Sequence, residues 1–456
     1  MLKLDLQLIA KIIGAELRGA NTDVVGIGID SRSIKPGELF FAIPGDKVDP
    51  HDYLPDVAAK GAVAAVVERL QTSNMPQLMV KSSFQALGTL AKFWRDQFSL
   101  PIIGLTGSNG KTSLKNMIAS ILLAAHENDE SKVLYTYGNL NSGFGLPLTL
   151  ARLTAAHRVA VLEMGMSSFG EIDYITKIAR PQVAVINNVF PAHVEFLGSV
   201  ENIAKAKAEI FNGLNSYGVA VLNRDDAFYE YWCERTRDHE VVTFGLHPQA
   251  QVTASEISND VFPSFCLQTP VGQAHVQLNT MGEHNVKNAL AAAAAAYALA
   301  IPLEAIVQGL ETVRAVQGRL REVKLQNGIT ILDDAYNSNP GSLRAGMAVL
   351  AKYPGERILV MGDMRELGCD ELRYHREIGE YANMLGLDRL FAIGQLSQQA
   401  VNAFAGDARH FDNHEAIIAA LRPLLQANVT VLVKGSLSMK MAQVVKALEE
   451  TYTIPL

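Results

Sequence analysis

The segment TGSNGKT (106–112) has the residue types and spacing of a phosphate-binding loop. Its two glycines let the backbone turn its N–H groups toward phosphate oxygens, and its lysine can bridge the β and γ phosphates of a nucleotide. The hydroxyl of Thr112 is a hard oxygen ligand that suits Mg2+. We therefore expect ATP contacts from Gly107, Ser108, Asn109, Gly110, Lys111 and Thr112.

The sequence around this loop also has the order that phosphate binding requires. The apolar run PIIGL (101–105) predicts a strand that enters the loop, and SLKNMIASILLAA (113–125) predicts a helix that leaves it. The strict pattern G-x-x-x-x-G-K-[ST] fails, because Leu105 stands five residues before Gly110. The context on both sides still favours a nucleotide site, although the loop alone does not specify the reaction.

Other polar residues follow apolar runs that read as parallel strands. Glu163 closes VAVLE (159–163), whereas Asn187, Asn188 and His193 lie at or after the end of VAVINN (183–188). Ligands gather at the carboxyl ends of parallel strands, so all four could face the Mg2+ of the loop. Mg2+ prefers oxygen, which favours Glu163 and counts against His193. By spacing alone, Lys207 reads as a solvated lysine and Arg319 as a surface arginine.

These residues need a multidomain α/β scaffold, and 456 residues are enough for about three domains. We predict a small mixed α/β domain (1–82), beginning with an amphipathic helix in MLKLDLQLIAKIIGAEL. A central domain (83–312) should hold a parallel sheet, an antiparallel patch within 241–280 and an alanine-rich helix at 286–300. Regular alternation of strands and helices predicts a doubly wound, Rossmann-like third domain (313–456), without a GxGxxG after its first strand.

Composition excludes several classes of function. The 40 Lys and Arg residues against 47 Asp and Glu residues, without a basic block, argue against a nucleic-acid partner. No apolar segment approaches the ~20 residues of a membrane span, so we expect no membrane insertion. The three cysteines lack CxxC spacing and support neither a disulfide framework nor a thiolate zinc site. A cytoplasmic monomer is expected.

Several further motifs, in this order, resemble those of the Mur ligases. They are DSRSIKPGELFFAIPGDKVDPHDY (30–53), EMGMSSFGEI (163–172), INNVFPAHVEFLGS (186–199), KAEIF (207–211), GEHNVKNALAA (282–292), GRLRE (318–322), DDAYNSNP (333–340) and KGS (434–436). The resemblance covers nearly the whole chain. It implies one domain that grips a UDP-sugar peptide, one that binds ATP, and one that closes over both.

Within the family, DDAYNSNP and the absence of a DNPR motif resemble the member that adds a dipeptide. The resemblance thus implies ATP-dependent joining of D-alanyl-D-alanine to UDP-N-acetylmuramoyl-tripeptide through an acyl phosphate, in peptidoglycan precursor synthesis. The alternatives are a sister ligase that adds one amino acid, a folylpolyglutamate synthase, which lacks the DSR-containing first domain, and a regulatory ATPase. Whether the third residue of the tripeptide is lysine or diaminopimelate stays open.

The resemblance also assigns roles near the nucleotide. Thr112 and Glu163 resemble ligands of a first Mg2+, and His193 a metal-site histidine. Lys207 matches a lysine that becomes carbamylated and offers oxygens to a second Mg2+. The remaining implied ATP contacts are Asn285 and Asn288 on the adenine side, Arg319 at the γ-phosphate, and Asp334 at the ribose or in domain closure. Lys111, His193, Lys207 and Arg319 make up the implied catalytic set.

Substrate contacts are implied at two places. Ser31 and Arg32 resemble contacts to the uridine diphosphate, and Asn139 and Asn141 resemble part of the central substrate cleft. One departure concerns the third domain, where the family commonly reads KGSR with a later Met-Glu. Here KGSLSMKM places Leu437 and Lys440 at those positions, so no dipeptide contact is assigned there.

Overall fold

The computed structural model describes residues 2–45, 47–191, 194–325 and 328–452. They form an α/β architecture built on three main sheets, one after another along the chain. The first sheet is small and mixed, and the other two have six strands each. Within the described residues, no helix is long and apolar enough to cross a membrane.

The first region is organised around a five-stranded sheet of order β2-β7-β6-β5-β4 and a two-stranded sheet of β1 and β3. Its elements are β1 (Lys3–Asp5), α1 (Leu6–Ile13), β2 (Glu16–Arg18), β3 (Asp23–Val25), β4 (Ile27–Gly28), β5 (Leu39–Phe41), α2 (Leu54–Ala59), β6 (Ala64–Val67), β7 (Gln77–Met79) and α3 (Ser83–Arg95).

The predicted N-terminal helix is shorter than expected. Lys3–Asp5 pair with Asp23–Val25 as an antiparallel strand, and only Leu6–Ile13 are helical. The Asp5 side chain accepts a hydrogen bond from the N–H of Leu8 at 2.9 Å, which caps the helix N-terminus and fixes its start. A left-handed Gly14 ends it.

Helix α3 joins the first core to the central one. Ala86, Leu87 and Leu90 pack with α1, whereas Ala91 belongs to the core under the central sheet. The proposed boundary at 82 therefore falls at the start of a helix shared by two cores, and it stays a prediction.

The central region has a six-stranded, fully parallel sheet of order β13-β12-β11-β8-β10-β9 and a small antiparallel sheet of β14, β15 and β16. Its elements are β8 (Ile102–Thr106), α4 (Lys111–Ala125), β9 (Val133–Tyr135), α5 (Gly145–Leu150), β10 (Val159–Glu163), α6 (Glu171–Ala179), β11 (Val183–Ile186), α7 (Val194–Leu197), α8 (Val200–Ala208), β12 (Val219–Asn223), α9 (Tyr229–Arg235), β13 (Glu240–Phe244), β14 (Thr253–Ser255), β15 (Ser264–Thr269), β16 (Gly272–Gln277), α10 (Glu283–Tyr297) and α11 (Leu303–Thr312).

Strand order brings the residues with predicted chemical roles to one edge of the central sheet. β8 lies between β10 and β11, with Glu163 opposite Leu105 and Ile186 opposite Thr106. The carboxyl ends of these three strands therefore adjoin the phosphate loop. The predicted antiparallel patch is real but begins at Thr253; residues 241–244 instead extend the parallel sheet as part of β13. The alanine-rich α10 is buried against the core, because alanine allows close helix packing.

The last region is a doubly wound sheet of order β17-β18-β22-β19-β20-β21, parallel except for the edge strand β17. Its elements are β17 (Arg321–Lys324), β18 (Thr330–Asp334), α12 (Pro340–Leu350), β19 (Glu356–Gly362), α13 (Glu371–Met384), β20 (Arg389–Ile393), α14 (Gln398–Ala403), β21 (Asp407–Phe411), α15 (His414–Leu421), β22 (Val429–Lys434) and α16 (Ala442–Tyr452). Because β22 returns between β18 and β19, the ends of these three strands share one edge.

Candidate active site

The phosphate loop connects β8 to the first turn of α4. Gly110, with a φ of +77°, takes a left-handed conformation just before the helix, which disfavours residues with a side chain. The Nζ of Lys111 donates a hydrogen bond to the carbonyl of Gly107 at 2.7 Å and so reaches back across the loop. The backbone N–H groups of a helix N-terminus and one ammonium group together form an anion site.

A series of hydrogen-bonded asparagine side chains holds the phosphate loop in place. The Nδ2 of Asn187 donates to the carbonyl of Asn109 at 3.1 Å and to the Oδ1 of Asn288 at 2.8 Å. Asn288 in turn donates to Asn285 at 2.9 Å, and Asn188 accepts from the N–H of Asn109 at 2.9 Å. The structure thus brings Asn285 and Asn288 to the loop, where their amides hold it in place.

Glu163 lies at the end of β10 and is 2% exposed. Its Oε1 accepts a hydrogen bond from the Nδ2 of Asn141 at 2.8 Å, whereas its buried Oε2 has no hydrogen-bond partner among the described residues. The hydroxyl of Thr106 is likewise buried and has no hydrogen-bond partner in the described part of the chain. An unpaired carboxylate oxygen beside a phosphate loop is what a cation bound to the nucleotide would require.

The residues present therefore fit a magnesium ion that also takes phosphate oxygens. Among the described residues, no group of three or more His, Cys, Asp and Glu side chains could hold a metal by itself. Mg2+ commonly binds through one or two protein oxygens together with phosphates and water. His193, the other predicted metal residue, lies outside the described residues.

Two lysines near the loop are buried and make no hydrogen bond or ion pair within the described part of the chain. Lys207 is on the buried face of α8 and is 2% exposed, so it is not the solvated lysine that its spacing suggested. Burial places its pKa well below the usual range, and nearby Lys111 lowers this pKa further. Lys115, one turn after Lys111, is 3% exposed; burial lowers its pKa, and Glu163 opposes the shift.

Arg319 approaches this charge cluster from the last domain. Its guanidinium carbon lies 4.1 Å from the ring centroid of Tyr336, so the side chain is held over an aromatic face rather than free at the surface. The adjacent N–H of Leu320 donates to the Oδ1 of Asp334 at 3.1 Å. The other oxygen of Asp334 accepts from the Nζ of Lys434 at 2.6 Å. Both oxygens of Asp334 are therefore engaged in holding the turn that carries Arg319.

A pair of amides joins the phosphate loop to the last domain. The Nδ2 of Asn339 donates to the Oδ1 of Asn109 at 2.6 Å, and the Nδ2 of Asn109 donates back to the Oδ1 of Asn339 at 3.2 Å. Asn339 is also the N-cap of α12, accepting from the N–H of Ser342 at 2.9 Å. One side chain thus caps a helix and contacts the nucleotide loop across the cleft.

The predicted substrate residues divide into two groups. Asn141 contacts Glu163, and Asn139 is exposed in the same loop. Ser31 and Arg32 lie instead in a turn of the first region, where Arg32 pairs with Asp30 at 2.8 Å. No hydrogen bond or ion pair among the described residues joins that turn to the phosphate loop. The roles assigned to all four residues stay predictions.

Sequence reasoning missed three residues of this site. Lys115 had a readable signal, because it follows Lys111 by four positions and so shares its helix face. Asn339 precedes Pro340, a combination typical of a helix N-terminus. Lys434 belongs to the KGS motif, but its pairing with Asp334, 100 residues earlier, is a tertiary contact without a local signal.

Comparison with known families gives the class of protein. Three family models match in order: Mur ligase family, catalytic domain, at residues 23–94; Mur ligase middle domain, at residues 105–296; and Mur ligase, glutamate ligase domain, at residues 318–437. The chain belongs to the Mur ligase family. Members of this family are ATP-dependent ligases, so the chain is an enzyme of that class.

Individual relatives are similar over their full length. The chain is 40% identical to the UDP-N-acetylmuramoyl-tripeptide--D-alanyl-D-alanine ligase of Escherichia coli, covering 99% of this chain and 100% of that protein. A crystal structure of MurF from Acinetobacter baumannii matches with a TM-score of 0.92 and 34% identity over 99% of both chains. MurF from Thermotoga maritima in complex with ADP matches with a TM-score of 0.81 and 26% identity, over 93% of this chain and 97% of that one.

Proposed function

We propose that this enzyme joins D-alanyl-D-alanine to UDP-N-acetylmuramoyl-tripeptide and converts ATP to ADP and phosphate. The tripeptide carboxylate attacks the γ-phosphorus of ATP, the bond to ADP breaks, and an acyl phosphate forms. The dipeptide amine then attacks the acyl carbon, loses a proton, and expels phosphate. ATP is needed because a free carboxylate is a poor electrophile for amide formation in water.

The observation that carries this proposal is the full-length similarity to a ligase named for these two substrates. The site geometry supports it independently. Among the described residues, an anion-binding loop, two buried lysines that make no hydrogen bond or ion pair, and a carboxylate oxygen without a hydrogen bond lie near one sheet edge. That arrangement suits a phosphorylated intermediate.

Positioning and charge neutralisation dominate phosphoryl transfer. The loop N–H groups and Lys111 bind the phosphates, and Arg319 reaches the γ-phosphate from the opposite wall of the cleft. Asp334 and Lys434 hold the turn that presents Arg319. No nucleophilic serine or cysteine is needed, because the acyl group passes from carboxylate to phosphate to amine.

Thr112 and Glu163 would hold Mg2+, which neutralises phosphate charge when bound. Lys207 is the candidate for carbamylation, because burial favours its neutral amine, the form that reacts with carbon dioxide. The resulting carbamate would offer oxygens to a second ion. Since ATP and a nucleotide-linked sugar are the substrates, we place the reaction in the cytoplasm, with a monomer as the expected state.

The test is phosphate release from ATP and Mg2+ with the UDP-linked tripeptide, with and without D-alanyl-D-alanine, followed by the product mass. Tripeptides ending in lysine and in diaminopimelate are compared in parallel. Release that requires both substrates and gives the pentapeptide mass is expected. The Lys111→Ala variant is the control for contaminating ATPases and should release no phosphate.

Other outcomes redirect the proposal. Release that depends on a single amino acid and the shorter UDP-linked peptide would identify a sister ligase. Release that is indifferent to both substrates would indicate a regulatory ATPase. Either result would overturn the dipeptide assignment.

A further inference from the structure

The loop that follows β19 carries a charged pair that the proposed mechanism does not use. Asp363 is fully buried, and its Oδ1 accepts hydrogen bonds from the N–H groups of Leu396 at 3.1 Å and Ser397 at 2.8 Å. Its Oδ2 makes no hydrogen bond within the described structure but lies 3.0 Å from the Nη2 of Arg365. Backbone N–H groups thus hold the Asp363 carboxylate in place, and the charge of this carboxylate holds the Arg365 guanidinium.

The Arg365 side chain itself remains available. It is 47% exposed, and among the described residues its guanidinium makes this one ion pair and no hydrogen bond. Its backbone N–H donates to the hydroxyl of Ser436 at 2.8 Å, which ties the start of its side chain to the KGS segment. A planar fork of five N–H donors, held by a buried carboxylate, is arranged to bind a carboxylate in a bidentate manner.

Contacts place the loop that carries Arg365 where the last domain meets the central domain. Ser436 comes two residues after Lys434, which pairs with Asp334 behind Arg319. The next residue, Glu366, has a φ of +65°, and its carbonyl accepts from the N–H of Glu195 in the central domain at 3.4 Å. The loop therefore contacts both the KGS segment of the last domain and the central domain.

We propose that Arg365 binds the C-terminal carboxylate of the incoming D-alanyl-D-alanine, with Asp363 as its positioning residue. This inference rests on the proposed function. The dipeptide amine must reach the acyl carbon, which places its carboxylate about 7 Å away along two extended residues. Lys111 and Arg319 are required at the phosphates, and Lys434 is neutralised by Asp334. Arg365 is a neighbouring cation whose guanidinium, apart from its ion pair with Asp363, makes no hydrogen bond among the described residues.

The experiment compares D-alanyl-D-alanine with its C-terminal amide as acceptor, in the wild type, Arg365→Gln and Arg365→Lys. We expect Arg365→Gln to raise the KM for the dipeptide by roughly 10- to 100-fold, the effect of losing charge-assisted hydrogen bonds. The KM values for ATP and the UDP-linked tripeptide should stay within about twofold. The wild type should prefer the acid over the amide, and Arg365→Gln should lose that preference.

Two further variants separate binding from folding. Arg373→Gln removes an exposed arginine of α13 that pairs with Asp370 and Glu377, and it should keep the wild-type preference for the acid. Asp363→Asn should reduce the preference for the acid over the amide without changing the KM for the amide. A purely structural role of Asp363 would not produce this selective effect. Arg365→Lys keeps a charge without the fork and should fall between the wild type and Arg365→Gln.

The outcomes distinguish the inference from the function on which it rests. If the wild type makes pentapeptide and Arg365→Gln retains both its dipeptide KM and its acid preference, only the inference fails. If Arg365→Gln does not fold, an Arg365→Lys enzyme with unchanged preference overturns the inference equally. If the wild type uses no dipeptide at all, the proposed function and this inference fail together.

Discussion

The two six-stranded sheets differ in whether the buried charged groups at their edges are paired. At the edge of the central sheet, Lys115 and Lys207 are buried without a partner in the described structure, and Glu163 leaves one oxygen unpaired. At the corresponding edge of the last sheet, Asp334 and Lys434 form a buried pair at 2.6 Å. Both edges lie at the carboxyl ends of parallel strands, so the difference lies in the pairing.

Unpaired buried charges are costly and persist where a ligand completes them. Paired buried charges hold a geometry without a ligand. We therefore expect the central edge to bind the nucleotide and the C-terminal edge to hold Arg319 in place for it. Removing a charge should cost activity at the first edge and stability at the second.

The largest effect is expected from Lys111→Met. Loss of this ammonium removes stabilisation of the developing phosphate charge and should lower kcat by about 10³-fold. The melting temperature without ligands should not fall, because the side chain is costly to bury. Turnover and thermal unfolding are measured side by side, with the exposed Lys92→Met as control. A Lys111→Met variant that unfolds more easily and keeps its turnover would contradict the expected difference between the two edges.

Lys434→Met should act mainly on stability. It leaves the buried Asp334 carboxylate uncompensated, which should cost about 3 kcal/mol in the free energy of unfolding. Urea unfolding measures this loss. The double variant Lys434→Met, Asp334→Asn also removes the uncompensated carboxylate charge. It should therefore recover part of the lost free energy of unfolding. Equal instability of the single and double variants would show that charge pairing is not the cause.

Lys207→Ala should lower turnover by about 10²-fold, because it removes the lysine whose proposed carbamate would complete a metal site. Added short-chain carboxylic acids should restore part of the activity. Lys205, exposed on the same helix, provides the matched Lys205→Ala control. Full activity of Lys207→Ala without rescue would remove this residue from the site.

The pH dependence of stability gives a second readout for Lys207. Its pKa is lowered in the folded state, so between the folded and unfolded pKa values the unfolded chain binds more protons. Stability of the ligand-free enzyme should therefore rise with pH across that window. Lys207→Met should flatten this rise, and an unchanged slope would contradict the assignment.

Asn339→Ala should have the smallest effect. Loss of the N-cap of α12 should cost about 1 kcal/mol in the free energy of unfolding, and loss of the amide pair with Asn109 should weaken contact between the domains. Asn413→Ala, which removes the N-cap of α15 without touching the phosphate loop, is the control. The two variants should lose similar stability, but only Asn339→Ala should raise the KM for ATP. Equal KM values for ATP in the two variants would show that Asn339 acts only as a helix N-cap.

Local pattern was enough to predict the parts of the fold with strong periodicity. The strand before the phosphate loop, Glu163 at the end of β10 and the four parallel strands of the last domain follow from apolar runs. The edge strands β9, β13, β17 and β21 were missed. Edge strands are short and partly exposed, so their sequences lack the continuous apolar character of buried strands.

The site was harder to predict than the fold because its support is tertiary. Asn187 and Asn288 are 101 residues apart, and Asn109 and Asn339 are 230 apart, yet both pairs share hydrogen bonds. Their types and positions gave no sign of these pairings. The resemblance supplied Asn288 as a nucleotide residue, but only the structure shows that its amide holds the loop.

Calorimetric titration of Mg-ADP into the wild type, Lys111→Met and Lys434→Met tests the difference between the two edges most directly. We predict that Lys111→Met loses at least about 100-fold in affinity while its ligand-free melting temperature stays at or above that of the wild type. Lys434→Met should show the opposite pattern, with a lowered melting temperature and a smaller loss of affinity. Wild-type affinity in Lys111→Met would contradict the claim that the charged groups of the central edge serve the nucleotide.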